Sequence, residues 1–173
     1  RVLNIGDYQE IEQFTADGEY IKELIINNDT EFWIDHYRTP VIFDGEKLYF
    51  DGKVRHDRWD SNNAILSFDP ATMTLEAVYE FTEGDFIIAG VYKDCFILNS
   101  TVPNPHPEVD KEYISVVELL NIKTFEREVL FENIYEGEYA GNKWFQLDSE
   151  RIYTSFSFND MPVYNIKTRE SST

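Results

Sequence analysis

The sequence predicts an all-β fold made of repeated units of four antiparallel strands. One segment recurs along the chain, an acidic turn recurs between its copies, and apolar residues alternate instead of following helical spacing. The length of 173 residues fits a single domain, 1–173. An apolar content of 42% with 16% aromatic residues is typical of a globular chain.

The recurring segment is a turn flanked by two strands. Residues 67–81, SFDPATMTLEAVYEF, align without a gap with residues 119–133, LLNIKTFEREVLFEN, and shorter versions occur in QFTADGEYIKELI and VYNIKT. Asp and Asn cap such turns with their own side chains, and the flanking residues alternate with the period of a strand. Four residues are therefore predicted to occupy equivalent hairpin turns: Asp17, Asp69, Asn121 and Asn165.

An acidic turn before an apolar strand recurs between these copies. It reads FDGEKLYFDG at 43–52, VYKDCFILNS at 91–100 and LDSERIYTSF at 147–156. Each period thus contains strand, acidic turn, strand, longer loop, strand, Asn or Asp turn, and strand. Four antiparallel strands in about 40 to 50 residues is the size of a β-propeller blade.

This pattern divides the chain into four blade units. With strands lettered a to d from the inner to the outer edge, the first unit supplies b, c and d, and the next two are complete. The last supplies a, b and c before the polar ending TRESST. Because closed propellers usually need about four to eight blades, we expect a segment of a larger propeller, with a small four-bladed ring as the alternative. Open blade edges could pair with another copy. The units span 1–30, 31–84, 85–133 and 134–173.

The motifs themselves resemble a known family. The hairpin DGEKLYF, followed by ILSFDPAT and LEAVYEF, looks like a generic blade of the six-bladed NHL/TolB-like propellers common among bacterial exported lipoproteins. The resemblance covers nearly the whole chain and implies an extracytoplasmic location, periplasmic or at the cell surface. It implies no catalytic residues. The signatures of WD40 and kelch blades are absent from the sequence.

Charge and cysteine content exclude several classes of function. The 33 acidic and 15 basic residues give a formal net charge of −18, which repels a phosphate backbone and disfavours nucleic acid and anionic membranes as partners. No apolar run approaches the roughly 20 residues that span a bilayer, so direct membrane insertion is not expected. Cys95 is the single cysteine, which rules out an internal disulfide. Cations and basic partners stay open.

Candidate binding residues gather in the polar loops. The b–c loops of the complete units, GKVRHDRWDSNN at 52–63 and TVPNPHPEVDKE at 101–112, should leave the blade at the same end as the d–a loops, because strands alternate in direction. Trp59 offers a plate that can stack on a sugar or an extended peptide, whereas the alternative is that the histidines are simply solvated loop residues. The candidate ligand-binding residues are His56, Asp57, Arg58, Trp59, Asp60, His106, Asp110, Asn159 and Asp160.

Two functional classes follow. The favoured one is a non-catalytic binding or scaffold module that recognises a peptide, glycan or protein and needs no cofactor. The alternative is a metal-dependent propeller hydrolase or lactonase with calcium at an axial site, for which inner-strand carboxylates are proposed at Asp35, Asp85 and Glu138. His36 and Arg38 form an inner-strand polar pair that we expect to serve a structural network.

Overall fold

The structure is a computed structural model. It describes residues 2–5, 8–26, 31–35, 41–57, 60–106, 112–133, 144–154 and 162–172. Strands and their connections make up these residues, and there is no helix among them. The strands are β1 Val2–Ile5, β2 Tyr8–Phe14, β3 Tyr20–Ile26, β4 Phe32–Ile34, β5 Ile42–Phe43, β6 Leu48–Arg55, β7 Ser61–Asp69 and β8 Thr74–Phe81. They continue as β9 Asp85–Tyr92, β10 Cys95–Pro103, β11 Tyr113–Asn121, β12 Arg127–Asn133, β13 Trp144–Gln146, β14 Arg151–Thr154, β15 Val163–Asn165 and β16 Glu170–Ser172.

These strands form four antiparallel sheets, each with neighbours in chain order. The orders are β1-β2-β3, β4-β6-β7-β8 with β5 also paired to β6, β12-β11-β10-β9 and β13-β14-β15-β16. This confirms the predicted all-β fold with blades of four antiparallel strands. The chain divides into two compact units, Arg1–Thr82 and Glu83–Thr173, and each unit holds two of the sheets.

Two short strands, β4 and β5, pair with the same strand of the second sheet. On either side of the predicted inner-strand pair His36 and Arg38, the described residues form the end of β4 and the short β5. Ile34 lies opposite Gly52 and Ile42 lies opposite Tyr49. His36 and Arg38 lie outside the described residues, so their predicted network has no structural test.

The last sheet has a fourth strand, contrary to the expectation that the polar ending would supply none. Glu170–Ser172 pairs along β15, with Glu170 opposite Asn165 and Ser172 opposite Val163. All three residues of β16 are exposed. An outer strand has solvent along one edge, so it needs backbone pairing more than apolar side chains, and the apolar pattern therefore missed it.

Three of the four predicted c–d turns share the same hydrogen bonds. The side-chain oxygen of the first residue accepts from the backbone N–H groups two and three positions later. The backbone C=O of this first residue accepts from the N–H of the residue four positions later, which has a left-handed backbone with φ between 57° and 62°. The prediction is confirmed for the turns that begin at Asp69, Asn121 and Asn165.

The first hairpin is built differently, and the equivalent role predicted for Asp17 is wrong. Thr15 begins this turn: its C=O accepts from the N–H of Gly18 at 3.0 Å, and its Oγ1 accepts from the N–H of Glu19 at 2.9 Å. Gly18 carries the left-handed backbone, with φ of 86°, only three positions after the first residue. Asp17 thus lies inside a shorter turn.

Within each unit the two sheets pack through one apolar cluster. In both units the cluster takes side chains from the facing surfaces of the two sheets, and burial of that apolar area stabilises their attachment. In the first unit it includes Ile11, Ile26, Ile34, Phe50, Val54, Leu66 and Phe68. In the second it includes Ala89, Ile97, Val117, Leu119, Trp144, Ile152, Tyr164 and Ile166.

A side-chain amide also joins the sheets of the first unit. Gln9 of β2 is fully buried, its Oε1 accepts from the backbone N–H of Ile34 at 2.7 Å, and its Nε2 donates to the C=O of the same residue. The carboxamide thus binds a strand of the next sheet as another strand would. We call this arrangement an amide clamp.

The second unit has two amide clamps. Asn99 of β10 donates to the C=O of Trp144 and accepts from its N–H, both at 2.8 Å. Gln146 of β13 contacts Val91 of β9 in the same way, at 2.8 and 2.9 Å. A Cβ at Gly90 would lie 2.3 Å from Oε1 of Gln146, so this position must be glycine for the clamp to close.

Candidate functional site

The b–c loop of the second sheet is closed by a tight turn around its tip. The backbone N–H of His56 donates to the C=O of Asp60 at 3.0 Å, and the N–H of Asp60 donates to Oδ1 of Asp57 at 2.8 Å. Arg58 and Trp59 lie outside the described residues. The predicted Asp57 and Asp60 therefore belong to one turn, and one carboxylate oxygen of Asp57 stabilises it.

His56 is held against the outer strand of the same sheet. Its Nε2 lies 3.1 Å from Oε2 of Glu80 on β8 and 3.2 Å from Nδ2 of Asn62. The Asn62 amide also donates to Glu80, at 3.4 Å. The side chains of His56 and Glu80 are 44% and 36% exposed, so a ligand can reach the cluster. Neither Asn62 nor Glu80 was predicted as a site residue.

The b–c loop of the third sheet has an equivalent contact between a histidine and a glutamate of the outer strand. The N–H of Asn104 donates to the C=O of Glu112 at 2.9 Å and closes the loop, while the Asn104 side chain accepts from and donates to the backbone of His106. Nε2 of His106 then lies 2.6 Å from Oε2 of Glu132 on β12. Asp110 lies outside the described residues.

The two His–Glu contacts occupy equivalent positions in their sheets. Glu80 lies opposite Ala64 in β7, and Glu132 lies opposite Val116 in β11; each partner is five residues before its turn residue, Asp69 or Asn121. Each b–c loop is thus braced against strand d by the same pair of side chains. Only the strand register reveals this, because the histidine and glutamate are 24 and 26 residues apart in sequence.

In the first unit the d–a connection ends beside the base of the b–c loop, as the alternating strand directions predict. The N–H of Arg55 donates to the C=O of Glu31 at 2.7 Å. The Arg55 guanidinium also lies 5.0 Å from the centre of the Trp33 ring, within reach of a cation–π interaction. An aromatic and a cationic side chain therefore accompany the braced loop.

Two of the predicted inner-strand carboxylates, Asp35 and Asp85, lie at strand ends. Asp35 lies at the end of β4, where its N–H donates to the C=O of Asp51, and Asp85 begins β9 and caps the N–H of Phe86 at 3.0 Å. Across the described residues no group of three or more His, Cys, Asp and Glu is placed to hold a metal ion. Burial raises the pKa of the Cys95 thiol. Glu138, Asn159 and Asp160 lie outside the described residues.

An ion pair between a buried carboxylate and a half-buried guanidinium in the third sheet was missed by sequence reasoning. Glu118 is 1% exposed; it accepts from Ser100 and, through both carboxylate oxygens, from Arg127 at 2.6 and 2.9 Å. The equivalent positions of the second sheet hold Leu66 and Leu75, by the same register. Since both oxygens are occupied and an apolar pair fills the same place elsewhere, this cluster is structural.

Comparison with known proteins gives only weak structural similarity. No family model matches the chain, and no curated protein matches it. A solved structure that the chain resembles is the oligogalacturonate lyase of Vibrio parahaemolyticus, with 14% identity and a TM-score of 0.35. The match covers 87% of this chain and 56% of the lyase, so the chain spans just over half the length of that protein. The described residues contain no helix able to cross a membrane.

Proposed function

We propose that this chain is a binding module that recognises a peptide, protein or glycan through its b–c and d–a loops. The observation that carries the proposal is the repeated brace, His56 to Glu80 and His106 to Glu132. A solvated loop without a role needs no such contact, whereas a recognition loop gains affinity when its conformation is set before binding. Loops on a rigid β scaffold are a common location for binding residues.

The composition of the first braced loop indicates the ligand class. Trp59 lies between Asp57 and Asp60 in the sequence of this loop. A tryptophan supplies a large apolar contact at low entropic cost, and adjacent carboxylates favour cationic or polyhydroxyl ligands over anionic ones. We therefore expect cationic peptides or neutral oligosaccharides to be recognised.

The test is the substitution Trp59→Ala, measured in two ways. The labelled protein is applied to an array of neutral oligosaccharides and cationic peptides, and its thermal unfolding is followed separately. The proposal expects loss of array binding with a nearly unchanged unfolding midpoint, because central aromatic anchors often contribute about 2 kcal/mol or more to binding. Glu80→Gln, which weakens the brace but leaves the tip intact, should weaken binding without abolishing it.

Two results would contradict the proposal. If Trp59→Ala lowers the unfolding midpoint by several degrees, the tryptophan packs in a core and the site does not exist. If calorimetry finds tight, stoichiometric calcium binding, the metal-dependent hydrolase becomes the better reading.

A further inference from the structure

An apolar groove lies on the first unit, apart from the b–c loop residues proposed above. One wall is formed by residues 24–26 of β3, the other by residues 73–75 at the start of β8, and Phe32 of β4 contributes to the lining. Its volume is about 280 Å³. Drug-sized ligands usually occupy roughly 300–1,000 Å³, so this groove is sized for one or two side chains.

The turn beside the groove contacts the preceding outer strand differently in the two units. In the second unit, Arg169 of the c–d turn forms an ion pair with Glu128 of β12 at 2.7 Å. In the first unit, Met73 occupies the turn position equivalent to Arg169, and Lys22 occupies the strand position equivalent to Glu128. Lys22 donates to the C=O of Ala71 at 3.1 Å. The first unit therefore has a backbone contact and an apolar side chain where the second has an ion pair.

Met73 retains an apolar side chain at a position that disfavours one. Its φ of 60° is in the left-handed region, where glycine or asparagine costs less than a long side chain. The Met73 side chain packs against the core and lines the groove. Methionine is also suited to surfaces that adapt to a partner, because its unbranched chain repacks easily.

The other wall of the groove differs from the equivalent strand of the next two sheets at one position. Ile25 lies opposite Glu10, which is five residues before the first turn residue, Thr15. Ile25 therefore has the same position in its sheet as Glu80 and Glu132 have in the next two sheets. Ile25 is 47% exposed. Ile25, with about half of its surface in water, thus stands beside the groove where the next two sheets have a glutamate.

The surroundings of the groove are acidic. The hairpin 8–26 carries five acidic residues and one lysine, and Asp and Glu outnumber Lys and Arg by 17 to 7 in residues 1–82. The pKa of the Tyr20 hydroxyl is raised, first by desolvation and then by Glu23 and neighbouring carboxylates. A cationic partner is therefore attracted to this side of the molecule.

We propose that this groove binds an extended peptide segment of a partner protein, with an aliphatic side chain inserted between β3 and β8 and lysine or arginine on either side. β3 has a neighbour on one side only in its described sheet, so its free edge can pair with the backbone of the segment. The groove supplies the apolar pocket, and the acidic hairpin selects the flanking charges.

The test uses the full chain and a fluorescein-labelled peptide of sequence KLKLKLKLK, followed by fluorescence anisotropy. KSKSKSKSK has the same charge without apolar side chains, and ELELELELE reverses the charge. Ile25→Ser removes the apolar lip of the groove. Its matched control is Ile21→Ser, on the same strand with the same 47% exposure but outside the lining.

The proposal expects binding of KLKLKLKLK that is at least tenfold weaker for Ile25→Ser and within twofold of the native chain for Ile21→Ser. A second variant, Thr74→Arg, adds a positive charge at the other lip and should also weaken binding. Equal binding of KSKSKSKSK would overturn the proposal, because charge alone would then explain it. So would equal effects of the two isoleucine variants, or concentration-dependent dimerisation that Ile25→Ser abolishes, which would make a second copy the occupant.

Discussion

Removing the amide of Gln9 should destabilise the first unit more than its small size suggests. Gln9 and Ile34 are both 0% exposed, and the amide is bonded to the N–H and the C=O of Ile34. In Gln9→Ala these two backbone groups stay buried without a partner. A buried unsatisfied polar group costs about 1–3 kcal/mol, so we expect the free energy of unfolding to fall by about 2–5 kcal/mol.

The matched control is Gln13→Ala on the same strand. The Oε1 atom of Gln13 is buried and has no hydrogen-bond partner among the described residues, so its removal should cost less than about 1 kcal/mol. Both variants are unfolded in urea and followed by circular dichroism, with the midpoint and the slope m fitted separately. Equal losses for the two variants, or a loss below about 1 kcal/mol for Gln9→Ala, would refute the clamp.

Two further predictions concern charged side chains. Arg127→Leu should lower the free energy of unfolding by about 3 kcal/mol, because it leaves the buried Glu118 carboxylate without its charged partner. Adding Glu118→Leu should restore most of the loss, since the second sheet holds leucine at both positions; a double variant as unstable as the single one would contradict this. The backbone N–H groups of Lys47 and then Glu46 donate to the Asp44 carboxylate and hold its pKa below the ordinary value of 3.8. The charged carboxylate therefore stabilises the fold above that pH, and this stabilisation is lost as the pH falls through the lowered pKa of the folded state. Asp44→Asn keeps an acceptor and should weaken the pH dependence of unfolding below about pH 4; an unchanged acid-unfolding curve would contradict the assignment.

The blade pattern was predictable because its determinants are local. Asn121 and Asn165 cap their turns through backbone groups within four residues, and apolar alternation marks the strands beside them. The mistaken role of Asp17 has a local cause as well. Thr15 and Gly18 close a shorter turn. The composition of the hairpin does not show whether the hydrogen bond that closes the turn joins residues three or four positions apart.

The His–Glu contacts of the candidate site and the amide clamps between the sheets join residues far apart in the chain, and the sequence predicted neither. Glu80 reads as an exposed residue of an amphipathic strand until the register of β7 and β8 places it beside His56. Gln146 and Asn99 likewise look like ordinary polar residues within strands, and their roles depend on which neighbouring strand lies across from them. Long-range pairing of this kind leaves no periodic signal in a single sequence.

The amide clamps have a consequence for blade exchange. Each clamp recognises only the N–H and C=O of one residue on the adjoining strand, Ile34, Val91 or Trp144, and both groups are present in every amino acid except proline. The side chain at the receiving position is therefore free to vary as long as it fits the apolar cluster. Grafting a foreign blade next to a clamp should preserve the alignment of the two sheets provided that the receiving residue is not proline and, at the Gln146 clamp, that glycine precedes it. The joint between blades thus depends on the backbone of the receiving residue and much less on its side chain.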